Sequence, residues 1–342
     1  MAFQPKLNRR RRNLPSSGKP RPWRVALLAV VALAGLAALF GLIPALPSRA
    51  DPAASKAELA TALKNFRRGN MSAARDHALL ATREDPGSGL AHAVLARFLI
   101  ETGDGAGAQA ELDRAKEVGF NPDRLFQLYA HSYLLQGDAE RAIATANRAP
   151  APYRGYAARV VGRALAVTGD TKGAWTQLSL LTRQMPGDSR VWSDLGRVHQ
   201  GASDLVAASD AAGRALALDR NNTDALVLRG ELVRDQFGLV AALPWFEAAL
   251  KRDPRNHEAL IEYAATLGEA GRYRDMLAAS RRAQAADPDD PDAYYLQAVL
   301  AARAGDEDLA RGLLDRTGGQ LSNTPGALLL GGCLQDPNAG SN

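Results

Sequence analysis

The sequence predicts an all-α protein: a solenoid of about eight helix-turn-helix repeats preceded by one N-terminal transmembrane helix. Three observations predict it. Two neighbouring blocks, Ser189–Asn222 and Thr223–Asn256, have 34 residues each and share one layout, with Gly196 matching Gly230, Ala208 matching Ala242 and Ala215 matching Ala249. The chain is 46% hydrophobic but only 6% aromatic. Ala and Leu dominate, which favours helix, and β-branched runs with period-two alternation are missing. The third observation is an uncharged run, Val25–Leu46.

From the N-terminus, residues 1–24 are basic, rich in Pro, Ser and Gly, and poor in large apolar side chains. Such a segment does not bury enough surface to fold, so it reads as a disordered cytoplasmic tail. Its Arg9–Arg12 run reads as a signal for membrane topology; the alternative is a patch for nucleic acid or acidic lipid. A twin-arginine export signal fits poorly, because the apolar run begins too far downstream. Residues 25–46 then give 22 uncharged positions, about 33 Å of helix at 1.5 Å per residue, enough to cross a bilayer. Eight positive charges precede them, which places the N-terminus in the cytoplasm and the rest of the chain across the membrane. A cleaved signal peptide is the alternative. Ser48-Arg49-Ala50 offers a small-x-small site, but the apolar run exceeds the usual signal core of about 7–15 residues. Residues 47–54 form a linker.

The repeats occupy residues 55–324, starting near 55, 89, 123, 155, 189, 223, 257 and 291. Gly69, Gly103, Gly137, Gly169, Gly271 and Gly305 mark the turn inside a block, and Pro86, Pro186, Pro254 and Pro288 mark its end. Proline lacks a donor and clashes with the preceding turn, so it stops the second helix. Glycine and alanine recur where paired helices approach closely, and Trp192, Leu195 and Phe246 fill the remaining space. The second block runs long, through Gly119, Asn121 and Pro122. The third is cut short at Ala149-Pro150-Ala151-Pro152. One helix pair has no way to bury its apolar face alone, so neighbouring pairs stack. Residues 325–342 read as a C-terminal cap and a polar tail.

This pattern resembles the tetratricopeptide repeat (TPR) family. Trp192, Leu195 and Gly196 match the opening run of its 34-residue signature, and Ala242, Phe246 and Pro254 match the closing run. The resemblance implies that the first helix of each pair lines a concave surface where peptides bind. On this register, Arg97, Arg124, His131, Arg159, Arg163, Arg190, Arg197 and Arg234 stand at inward places, against Asp224 and Glu231 in the same blocks. Glu258, Asp292 and Tyr295 follow in the last two. An arginine-rich groove suits carboxylates, because the guanidinium fork donates two parallel bonds. The alternative is an ordinary solvated face. The carboxylate-clamp form of the family, with Lys and Asn at fixed places, is not evident.

Charge and cysteine content narrow the function. The formal net charge is +5, yet residues 1–50 hold nine basic side chains and no acid, leaving 33 basic against 37 acidic residues. A slightly acidic body argues against nucleic-acid binding. Cys333 is the only cysteine, so no intrachain disulfide forms. His77, His92, His131, His199 and His257 show no metal-ligand spacing. There is no Gly-x-Ser-x-Gly elbow and no phosphate loop after a strand, and acids such as Asp289 and Asp290 sit where helices start. No catalytic, cofactor or metal site is expected. The expectation is a scaffold with a protein or peptide partner of acidic character, inserted in the inner membrane with its solenoid in the periplasm, serving envelope assembly, secretion or export. Two alternatives remain: a soluble periplasmic adaptor after cleavage, and an accessory subunit of a glycan-export or cytochrome-maturation enzyme complex.

Overall fold

Most of the helices begin just after an Asp or Asn, whose side chain caps the first turn. The computed structural model describes residues 50–318. The expected basic tail, the apolar span Val25–Leu46 and the C-terminal cap fall outside the described residues. Among the described residues there are sixteen α-helices, two short 3-10 turns and no strand, and no helix is long and apolar enough to cross a membrane.

The helices pair in chain order. They are α1 (Pro52–Arg68) with α2 (Met71–Glu84), α3 (Gly89–Glu101) with α4 (Gly105–Glu117), α5 (Phe126–Leu135) with α6 (Ala139–Ala146), and α7 (Arg154–Val167) with α8 (Thr171–Gln184). Then come α9 (Ser189–Gly201) with α10 (Leu205–Leu218), α11 (Thr223–Phe237) with α12 (Leu239–Arg252), α13 (His257–Glu269) with α14 (Tyr273–Ala286), and α15 (Pro291–Arg303) with α16 (Glu307–Asp315). Each first helix also touches the first helix of the next pair, so the first helices form one continuous inner layer.

The turn within a pair is a Gly-Asp signal. Gly103, Gly137, Gly169 and Gly305 hold φ between 80° and 84°. The aspartates that follow, Asp104, Asp138, Asp170 and Asp306, accept from a backbone N–H in the first turn of the second helix. Glycine supplies the left-handed residue that closes the first helix, and aspartate satisfies a donor orphaned at the start of the second. In the fifth pair Ser203 takes the glycine place and holds φ 61°. In the sixth, α11 runs through the glycine place itself, Phe237, and Gly238 alone joins the helices.

The eighth place of every block is small. It is Ala62, Ala96, Ala130, Gly162, Gly196, Gly230, Ala264 and Ala298, all buried. A Cβ on Gly230 would sit 2.6 Å from the Phe246 ring, and one on Gly196 would sit 2.7 Å from Leu228 Cδ2. The twentieth place is alanine in seven blocks and Met276 in the other. There Gly268 opposite makes room, since its Cβ would lie 2.5 Å from the Met276 sulfur. The core is therefore a string of small clusters bridging neighbouring pairs, as where Phe246, Leu250, Leu260 and Ala283 pack together.

Three expected details come out differently. The first helix starts at Pro52, capped by Asp51, ahead of residue 55. In the third block Pro122 and Asn121 impose a 3-10 turn, Pro122–Arg124, so α5 begins only at Phe126. Trp192, expected as a space filler, lies partly exposed and donates from Nε1 to the Pro186 carbonyl at 3.0 Å. Tyr294 does the same to Pro288 at 2.9 Å, and His92 to Pro86 at 3.0 Å. The fourth place thus ties down a proline carbonyl that closes the preceding repeat.

Candidate interaction groove

The inner layer carries most of the charged side chains that the register places inward. α3 presents Arg97 and Glu101, α5 presents His131, and α7 presents Tyr156, Arg159 and Arg163. α9 presents Arg190, Asp194 and Arg197, α11 presents Asp224, Glu231 and Arg234, and α13 presents Glu258 and Glu262. Together with the inter-repeat turns, many of them line a cavity of about 480 Å³.

These side chains form a ladder between successive first helices. Arg163 Nη1 donates to His131 Nε2 at 3.0 Å. That fixes His131 Nδ1–H as the donor to the Tyr156 hydroxyl at 2.5 Å, in a neutral ring. Arg159 Nε pairs with Asp194 at 3.1 Å and Arg163 Nε lies 3.9 Å from the same carboxylate. Arg197 Nη1 bonds both Glu231 oxygens at 2.8 and 2.7 Å, while its Nη2 reaches Glu258 at 2.5 Å. Gln200 adds a bond to Glu231 at 2.7 Å. Arg234 Nη1 reaches Glu262 at 2.7 Å and the Thr266 hydroxyl at 3.1 Å. The Arg97 and Arg159 guanidiniums lie 4.5 and 5.5 Å from the Tyr156 ring centre, within cation–π range.

Two contacts span the coil rather than step along it. Arg190, in the fifth pair, lies 3.5 Å from Glu101 in the second, which also pairs with Arg97. Arg252, at the end of α12, donates to the Arg68 carbonyl at the end of α1. The array winds tightly enough for its first two pairs to meet its fifth and sixth.

Burial decides how these groups titrate. Arg159 is 4% exposed and Asp194 7%. Burial pushes the Asp194 carboxyl up, and Arg159 and Arg163 pull it back only in part. Burial also pushes His131 well below its usual range, and the guanidiniums of Arg163, Arg159, Arg97 and Arg190 push it further. Burial would raise Glu101, but the same four guanidiniums outweigh it and hold the carboxyl below its ordinary value. Around α3, α5, α7 and the first half of α9, four guanidiniums thus outnumber the two carboxylates they pair with.

Of the eight inward residues expected from the sequence, Arg97, His131, Arg159, Arg163 and Arg190 come together in one cluster. Arg197 and Arg234 lie further along the ladder, each bound to carboxylates. Arg124 does not join them: it ends the 3-10 turn, exposed, and donates from Nε to the Tyr153 hydroxyl at 3.2 Å. Sequence reasoning missed Glu101, Asp194 and Tyr156. Glu101 and Asp194 stand at the thirteenth and sixth places of their blocks, outside the second, fifth, ninth and twelfth places that the repeat register turns inward. Among the described residues no group of His, Cys, Asp or Glu is placed to hold a metal ion.

The helix pairing, the small eighth and twentieth places and the layer of first helices define a TPR-type α-solenoid. No protein-family profile and no curated protein sequence matches the chain. Among solved structures it is similar to the crystal structure of the APC/C hetero-tetramer Cut9-Hcn1, with a TM-score of 0.60 and 16% sequence identity over 81% of this chain. The match spans 55% of that chain, so this protein covers about half its length. It also matches the crystal structure of MamA, over 46% of this chain and 91% of that one, at 16% identity and a TM-score of 0.38, a likeness too distant to bear on the fold.

Proposed function

We propose that this protein is a non-catalytic interaction scaffold whose concave groove takes an acidic protein segment. The observation that carries this reading is the cluster of Arg97, Arg159, Arg163 and Arg190, whose ion pairs run to two carboxylates, Glu101 and Asp194. Arg163 and Arg190 keep about a third of their side chains open to solvent, at 33% and 35%, so a carboxylate has two guanidiniums to approach. The likeness to a TPR assembly subunit supports a scaffold in general terms. In the same proposal Val25–Leu46 inserts in the inner membrane and delivers the solenoid to the periplasm, in service of envelope assembly, secretion or export. The basic residues ahead of that run support the orientation. The site Ser48-Arg49-Ala50 favours a second reading, a periplasmic adaptor released by cleavage.

Two experiments test the proposal. A fluorescent peptide rich in glutamate is titrated into the detergent-solubilised full chain. Binding is expected to weaken as salt rises and to drop about tenfold or more in Arg163→Glu with Arg190→Glu; equal binding by that variant reduces the cluster to a solvated face. A periplasm-active reporter fused after Asn342 is expected to be active, with the protein retained on carbonate extraction. Activity from a cytoplasmic reporter alone would reverse the topology, and release at a mass lacking about 50 residues would favour cleavage.

A further inference from the structure

The groove is not uniformly basic. Around α3, α5, α7 and the first half of α9, four guanidiniums meet Glu101 and Asp194. Around α11 and α13 the balance reverses: Arg197 meets both Glu231 and Glu258, and Asp224 lies in the same cavity. The nearby Arg234 is matched by Glu262, and Arg252, which also lines the cavity, is turned to the Arg68 carbonyl. The signs balance over the whole cavity but are sorted into two regions.

Titration behaviour follows the two environments. His131, in the first region, is pushed down by burial and by four guanidiniums. Crowding by the surrounding protein raises Glu258, in the second; Arg197 and Arg163 oppose this, and Asp224 and Glu231 add to the rise. The open groups are also sorted. Arg163 and Arg190 are about one-third exposed, and the Glu258 side chain is 52% exposed.

A small anion satisfies only the first region. A nucleic-acid strand brings phosphates against Asp224 and Glu258, where like charges repel. An extended peptide has the length to meet both.

We propose that the groove binds an extended peptide segment with its charges in two blocks, acidic residues against Arg163 and Arg190 and basic residues against Asp224 and Glu258. This rests on the reading of the groove as a peptide site, and it specifies the partner that the acidic-segment reading leaves open.

The test uses four fluorescent peptides with the full chain in detergent at low salt. Two carry three glutamates and three lysines in blocks, in either order. The third has the same residues alternating, and the fourth carries the glutamates alone. One block order is expected to bind about tenfold more tightly than the alternating peptide, a difference of one well-placed charge pair. Glu258→Lys is expected to remove most of that advantage while the glutamate-only peptide binds at least as well as before. Asp224→Asn is a milder second variant, and circular dichroism verifies that both fold. If the alternating peptide equals both block peptides, or if neither substitution touches the advantage, the two-block inference is overturned while an acidic-segment groove survives. If the glutamate-only peptide also fails to bind, both readings fall together.

Discussion

Ser203 occupies a turn where every comparable position but one holds glycine. Its φ of 61° costs an L-residue about 1–2 kcal/mol relative to a right-handed conformation. Ser203→Gly relieves that strain and gives back part of the gain through a more flexible unfolded chain. A net stabilisation of about 0.5–1 kcal/mol is expected, read as a higher urea midpoint. A lower midpoint would mean that the serine hydroxyl contributes something the geometry does not reveal. Asp194→Ala has the opposite sign. It strands the buried Arg159 guanidinium without its carboxylate, and breaking such a pair costs about 3–5 kcal/mol. His92 gives a pH signature. Its ring sits 2.6 Å from Glu111 and 3.0 Å from the Pro86 carbonyl, so both nitrogens face acceptors. The Glu111 bond raises its pKa, outweighing burial. A raised folded-state pKa gives stability that is complete below the ordinary value of about 6.5 and fades as pH rises through the folded value. His92→Gln is therefore expected to lower the melting temperature more at pH 6 than at pH 9. Parallel losses at the two pH values would remove the imidazolium from the account.

At the scale of helices, the packing prediction falls on Gly196 and Gly230. Leucine at either place meets Leu228 or Phe246 at distances no real side chain tolerates, and overpacking of this kind costs about 1–3 kcal/mol or more. Gly213 is the control. It is exposed in the middle of α10, and a Cβ there would have open space within 4 Å, so Gly213→Ala is expected to stabilise by about 0.5–1 kcal/mol. If the leucine variants melt like the parent, the pairing register is wrong. This scale is the most legible in the sequence. Glycine turns, closing prolines and small eighth places all follow from local backbone demands that residue type reveals directly. The groove is less legible. A period is enough to place Arg163 and Arg197 inward but not Glu101 and Asp194, because the inward places of the register omit the sixth and thirteenth. Arg124 falls outside the groove because Pro122 delays the start of α5, and a proline's effect on the next helix is not visible in a fixed 34-residue count. From the sequence Arg197 reads as a free surface cation, yet it is held by Glu231 and Glu258. Its replacement alters packing as well as binding, which is why Arg190 joins Arg163 in the binding test.

At the scale of the molecule, a repeat array is ordinarily a line in which each unit knows only its neighbours. The contact between Arg190 and Glu101 gives this line a shortcut. The second and fifth pairs respond to one another without the third and fourth as intermediaries, as opposite points on a closed circuit do. Loosening one is therefore expected to loosen the other at once. In Glu101→Gln, amide hydrogen exchange should quicken in α3 and α9 together, while α15, beyond the loop, keeps its parent rates. Quickening confined to α3 would show that the circuit is open. A closed circuit also has a size set by its weakest joint. Of the two contacts that span the coil, the partly exposed Arg190–Glu101 ion pair is the one salt weakens most, so the radius of the coil should widen with ionic strength, and anything that takes Glu101 away from Arg190 changes the circumference available to a partner.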